Sequence, residues 1–152
     1  MNTSFNPLPP GYTHVQHTFE PVFDEHSRIL ILGSFPSVKS REIQFYYGHP
    51  QNRFWKLMAQ LLDVPVPQSI DEKKTMLLTH GLALWDVIAS CDIKGSSDSS
   101  IKNAVPADIS RILKAADIQT IIANGGTAFR LYERYCEPVT GRPAALCPST
   151  SP

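Results

Sequence analysis

The sequence predicts an α/β fold, a three-layer αβα sandwich built around a mostly parallel four-stranded sheet. Three observations predict it. Short aliphatic runs at residues 29–32, 82–88, 118–123 and 144–147 have the length and continuity of strands buried on both faces. Segments with helical spacing of apolar residues separate them, and strand–helix alternation is the pattern of right-handed parallel crossovers. Each run also leads into a polar, turn-rich segment. In a parallel sheet these segments, "GSFPS", "WDVIASCDIKGSSDSS", "NGG" and "PSTSP", meet at one carboxyl edge, where such folds bind ligands.

Taken in order, residues 1–28 carry Pro7, Pro9, Pro10, Gly11 and Pro21 and read as an extended lead-in to a domain over residues 29–152. Ile29 to Leu32 is the first strand, ended by Gly33 and Pro36. Phe54, Trp55, Met58, Leu61 and Leu62 recur at helical spacing and predict an inward apolar stripe. Ser69 with Glu72 forms a capping-box pattern for the next helix, Met76 to Leu78 supply its apolar face, and Gly81 is placed to end it. Residues 82–88 are the second strand and residues 91–100 a polar loop. Pro106 is expected to open a third helix that buries Ile109, Ile112, Leu113 and Ala116. Residues 118–123 give the third strand, "TAFRLYERY" the fourth helix, and "AALC" a short last strand.

At 152 residues with 42% apolar content the chain is long enough for one ordinary core. Fourteen Lys and Arg balance fourteen Asp and Glu, which excludes a protein that coats nucleic acid by charge alone but leaves room for a local groove. Cys91, Cys136 and Cys147 are odd in number and widely spaced, against a disulfide framework, a zinc knuckle or an iron–sulfur cluster. A cytoplasmic, soluble protein is expected, since no run approaches the length of a membrane span and the first residues lack the order of a signal peptide. Neither G-x-G-x-x-G nor G-x-x-x-x-G-K-[ST] occurs, so dinucleotide and P-loop chemistry fall away.

"FYYGHPQNRFW", Phe45 to Trp55, crowds aromatic rings, amides and an arginine into one stretch. Ring faces stack on flat ligands and amides orient polar edges, so a nucleobase fits the mixture. The order G-S-F-P-S, Y-G-H-P-Q-N-R-F-W, L-W-D-V, N-G and P-S-T-S-P resembles the uracil-DNA glycosylase superfamily. It is most similar to the hypoxanthine (deoxyinosine) branch and, through "GHPQNRFW", to mismatch-specific uracil glycosylases. The resemblance runs from about Ile29 to Pro152. It implies an enzyme without cofactor or metal that flips a deaminated base from double- or single-stranded DNA and hydrolyses its N-glycosidic bond. No lysine falls in the matched pocket motifs, so a monofunctional enzyme without a Schiff-base step is expected, working as a monomer. Hypoxanthine is the expected base. Uracil, a catalytically weak binding module of the same fold and a small-molecule nucleosidase are the alternatives.

The resemblance also assigns candidate residues. Many relatives carry Asp or Asn at the third position of the first motif to activate water, whereas Phe35 stands there in this chain. Asn52 is the replacement, holding and polarising water without taking its proton; capping the following helix is its other reading. Asp86 is the second catalytic candidate, reading the base edge or stabilising charge on the sugar, or else capping a loop. Tyr47 matches the position whose ring stacks on the flipped base, with core packing as the alternative. Ser34, Phe35, His49 and Asn124 complete the base-binding set, His49 being equally at home as a turn residue. Ser37, Lys39, Arg53, Ser97, Ser99, Ser149, Thr150 and Ser151 are the DNA-contacting candidates, each with surface solvation as its alternative. Several relatives carry a base-contacting His in the last motif and a further helix after it. "PSTSP" has no His, and the hydroxyls of Ser149, Thr150 and Ser151 stand in its place.

Overall fold

The computed structural model describes residues 7–152; the first six residues of the expected lead-in lie outside that range. Its centre is a parallel sheet of four strands, β2 (Ile29–Gly33), β3 (Leu82–Asp86), β6 (Thr120–Asn124) and β7 (Ala145–Cys147), in the order β3-β2-β6-β7. Successive residues of β2 face opposite sides, and each side is buried. Leu30 and Leu32 pack with Ile112, Ile121 and Tyr132, while Ile31 packs with Phe45, Phe54, Trp55 and Leu77. Two apolar cores on one sheet make the strands continuous aliphatic runs, the signal that located them.

Between β2 and β3 come α1 (Val38–Ile43), α2 (Phe54–Leu62) and α3 (Ile70–Thr79). The Ser69 hydroxyl accepts a hydrogen bond from Glu72 N at 3.1 Å, as the capping pattern predicts. The reciprocal contact is displaced by one residue, Glu72 Oε2 accepting from Gln68 N at 2.8 Å. In α2, Phe54 and Trp55 are buried, but Leu61, expected on the inward stripe, is 68% exposed. The helix ends at Leu62 with Asp63 in a left-handed conformation, and Met58 and Leu62 still pack on the core beside the outward Leu61.

Three expectations need correction. The run at 82–88 is not one strand: β3 stops at Asp86, and after Val87 the chain leaves the parallel sheet as β4 (Ile88–Ile93). The first three residues of the expected polar loop, Cys91–Ile93, therefore belong to β4. It forms an antiparallel sheet, in the order β1-β4-β5, with β1 (Thr13–Gln16) from the lead-in and β5 (Lys102–Pro106). Its polar residues imitate loop composition because they are paired across strands: Asp92 accepts from Asn103 Nδ2 at 2.7 Å and contacts His14 Nδ1 at 2.8 Å. Pro106 ends β5 on the sheet's edge, where its missing N–H costs nothing, and α4 (Ser110–Ala115) starts later than expected. Ile109, Ile112 and Ala116 are nonetheless buried. After β6 follow α5 (Gly126–Tyr135) and the four-residue α6 (Glu137–Thr140).

Chain direction positions the site. From β2 the connection runs to β3 on one side, and from β6 it runs to β7 on the other, so the carboxyl ends of β2 and β6 flank a switch point. A crevice must open there.

Candidate active site

The crevice is a cavity of about 340 Å³ whose lining includes Gly33 to Ser37, Tyr46, Tyr47, His49, Asn52, Asp86, Asp98, Asn124 and Ser149 to Pro152. That volume lies at the small end for ligand sites and has room for a flat bicyclic base. Each parallel strand delivers residues: β2 the GSFPS turn, β3 Asp86, β6 Asn124, and β7 the closing segment.

Asp86 is buried and its Oδ2 is held by His17 Nε2 at 2.8 Å, the two side chains being 5% and 4% exposed. A side chain on Gly33 would collide with Asp86 Oδ1 and lie 3.0 Å from Tyr47 Oη, so only glycine lets this carboxylate lie over β2 beside the cavity. Tyr47 sits in the left-handed region at φ 53°, a strained placement for an aromatic residue that the surroundings must enforce. Phe54 stacks on its ring at 4.2 Å between centroids and 28° between planes. One face is thus covered, and the residue also lines the cavity. The Tyr47 hydroxyl is buried without a hydrogen-bond partner, and burial together with the charge of Asp86 pushes its phenol far up, so it stays neutral.

Asn52 fills its capping role and lines the cavity. Its Oδ1 accepts from Phe54 N at 3.0 Å, which fixes the start of α2, and from the Thr150 hydroxyl at 2.9 Å. Thr150 in turn accepts from Asn124 Nδ2 at 3.0 Å and donates its own N–H to Asn124 Oδ1 at 3.1 Å. Arg53 N donates to Thr150 O at 3.0 Å and Arg53 Nη2 to Ser149 O at 3.2 Å. This chain of bonds joins the "HPQN" loop, β6 and the last motif. It also occupies the amide oxygen expected to hold water, leaving Nδ2 as the free end of Asn52.

The remaining candidates divide. Ser34 lines the cavity and donates to Asp98 Oδ2 at 2.7 Å, and Phe35 is a buried wall. His49 Nδ1 accepts from Gln51 N at 3.1 Å, a turn role, while the ring still borders the cavity. Ser37 caps α1, accepting from Ser40 N at 3.2 Å, and lines the mouth with Ser149 and Ser151. Ser97 and Ser99 bond each other at 3.0 Å on the exposed surface and are not brought to the cavity; their neighbours Ser96 and Asp98 are. Lys39 also stands outside, 3.7 Å from Glu42. Two residues escaped the sequence reading. Asp98 hides in a serine run, and burial, reinforced by the charge of Asp86, raises its carboxyl above the usual range against the opposing Ser34 bond. His17 comes from the lead-in.

The model of the uracil DNA glycosylase superfamily matches residues 20–152. The chain belongs to the uracil DNA glycosylase superfamily. Within that superfamily it is 35% identical over 120 residues to a hypoxanthine DNA glycosylase of Methanosarcina acetivorans, covering 78% of this chain and 76% of the relative. A second protein of the same description, from Methanosarcina barkeri, is 37% identical over 111 residues, 70% of this chain and 69% of the relative. A solution NMR structure from Methanosarcina acetivorans, described as a candidate uracil DNA glycosylase, superposes with a TM-score of 0.75 at 33% identity, covering 88% of this chain and 83% of that one. The segments carrying the superfamily resemblance are those at the cavity: GSFPS, HPQN, the Asp86 strand end, Asn124 and the last motif.

Proposed function

We propose that this chain is a monofunctional DNA glycosylase that excises hypoxanthine from DNA, acting as a monomer in the cytoplasm without a cofactor. The observation that carries this reading is the Asp86 carboxylate, fixed through one oxygen by His17 and presenting the other beside an aromatic-walled cavity. Deamination turns adenine N1, a lone-pair acceptor, into an N1–H donor. A carboxylate oxygen accepts from that N–H and repels the lone pair of an undamaged adenine, so one group both binds the lesion and rejects the normal base. Names of the superfamily relatives point to the same base.

Tyr47, backed by Phe54, stacks on the extruded base, and stacking of this kind is worth about 1–3 kcal/mol per base. As the C1′–N9 bond lengthens, the sugar gains oxocarbenium character and the base leaves with the bonding pair. Asn52 Nδ2 donates to the oxygen of a water, whose other lone pair adds to C1′; the added water loses its proton to solvent, and the base anion takes one up. The products are free hypoxanthine and an abasic site. Rim hydroxyls of Ser37, Ser149 and Ser151 meet the backbone, and Arg53 and Lys39 provide local positive charge.

Duplexes and single strands carrying one inosine, uracil, xanthine or normal adenine, treated with enzyme and then alkali, test the reading. Strand scission is expected at inosine and none at adenine. Uracil is the second reading, because its N3–H offers Asp86 the same donor. DNA binding without scission at any lesion identifies a binding module, and cleavage of free inosine without DNA identifies a nucleosidase; either result overturns the proposal.

A further inference from the structure

We propose that His17 is a positioning residue that holds Asp86 in a single orientation as an acceptor, so that the N-terminal strand β1 is part of the base-reading apparatus. The inference rests on the reading of Asp86 as the acceptor of the base N–H.

The placement begins with β1. Its pairing with β4 runs from Thr13 against Ile93 to Gln16 against Ser90, and His17 N extends the ladder by donating to Ala89 O at 2.8 Å. Beyond that point the His17 side chain turns inward and meets Asp86 across 69 positions of sequence. Around it stand Phe19 at 4.3 Å, Tyr46 at 5.8 Å and Phe35 at 6.2 Å between ring centroids. Among the described residues no polar group meets Nδ1, which is buried. The proton therefore belongs on Nε2: that tautomer donates to the carboxylate and leaves a bare nitrogen among rings, whereas a second N–H there would be buried without an acceptor.

Asp86 has no other side-chain hydrogen bond among the described residues. The titratable groups facing it do not supply a cation: Asp98 from the segment before β5, and Tyr46 and Tyr47 from the loop before α2. Arg111 of α4 stands over the Phe23 and Trp85 rings and pairs with Glu20 at 2.7 Å. Without the His17 N–H nothing would fix this buried side chain, and its second oxygen would no longer be held toward the N1–H of the base.

Single-turnover excision of inosine at neutral pH should be compared for wild type, His17→Phe, His17→Gln and Asp86→Asn. His17→Phe should be slower than wild type by about tenfold or more, the scale of misplacing one functional group. His17→Gln restores an N–H donor and should return the wild-type rate. Asp86→Asn should be slow. A His17→Phe rate equal to wild type, or no rescue by His17→Gln, with Asp86→Asn impaired, overturns the positioning role alone; an unimpaired Asp86→Asn removes the base-reading role and this inference with it. ¹⁵N spectra of the wild-type protein at neutral pH give a readout independent of variant folding. An N–H at Nε2 is expected for His17, and the opposite tautomer overturns the inference.

Discussion

Asn52 is two residues in one. Its carbonyl is bound into the fold by Phe54 N and the Thr150 hydroxyl, and its amino group has no hydrogen-bond partner among the described residues. Asn52→Ala should lower the single-turnover rate by about a hundredfold or more, the scale of losing one positioned catalytic group, with some loss of stability from the missing cap. Thr150→Val separates the two roles, since it keeps the cap bond to Phe54 N and removes only the hydroxyl that bridges Asn52 and Asn124. Its melting temperature should stay near wild type while the rate falls, and a rate unchanged in Thr150→Val would show that the bridge has no part in holding Asn52. The motif placed Asn52, Asp86, Tyr47 and Asn124 at one cavity before any coordinates. It could not reveal that the Asn52 oxygen is occupied, because its second partner is 98 positions away.

At the scale of elements, local chemistry was legible where it acts locally. The Ser69 cap was written in four residues and is present at 3.1 Å, so Ser69→Ala should cost about 1 kcal/mol of stability, read from a urea melt. Glu72 bonds Gln68 N and not the cap residue, so its loss should add to the Ser69 loss and not duplicate it. Where pairing is long-range, sequence was a poor guide. Asp92 looks like a loop residue until Asn103 and His14 are seen beside it, and β4 was missed for that reason. The short helix α1 was missed too, because six residues cannot display an apolar period. The lead-in concealed β1, whose four residues are stabilised by their partner strand and not by their own composition.

Over the whole molecule, two carboxyls set opposing dependences on pH. Burial raises Asp98, so its native form binds a proton that the unfolded chain has already released; stability falls as pH rises through that interval and stays lower above it. Asp98→Asn should therefore melt higher than wild type at neutral pH and converge with it in acid, where Asp98 is protonated in both states. A thermal melt at both pH values checks this. Asp92 runs the other way. The Asn103 and His14 bonds hold its carboxyl below the usual range, so its contribution is full above the unfolded value and is lost as pH falls through the folded one.

Proteins are made from one end to the other, and that gives the bond between Asn52 and Thr150 a meaning in time. The cavity draws His17's partner Asp86 from mid-chain, Asn124 from β6 and Thr150 from the last motif, so no contiguous half of the chain contains it. While the ribosome is still adding residues, the α/β core can gather around β2 and β3, but the Asn52 amide has no Thr150 to meet. Closing contacts of such long separation come late in folding. A chain made only as far as β6 lacks the bond that ties the Asn52 loop to the last motif, and the cavity is complete only once that motif has been added and has folded back onto it.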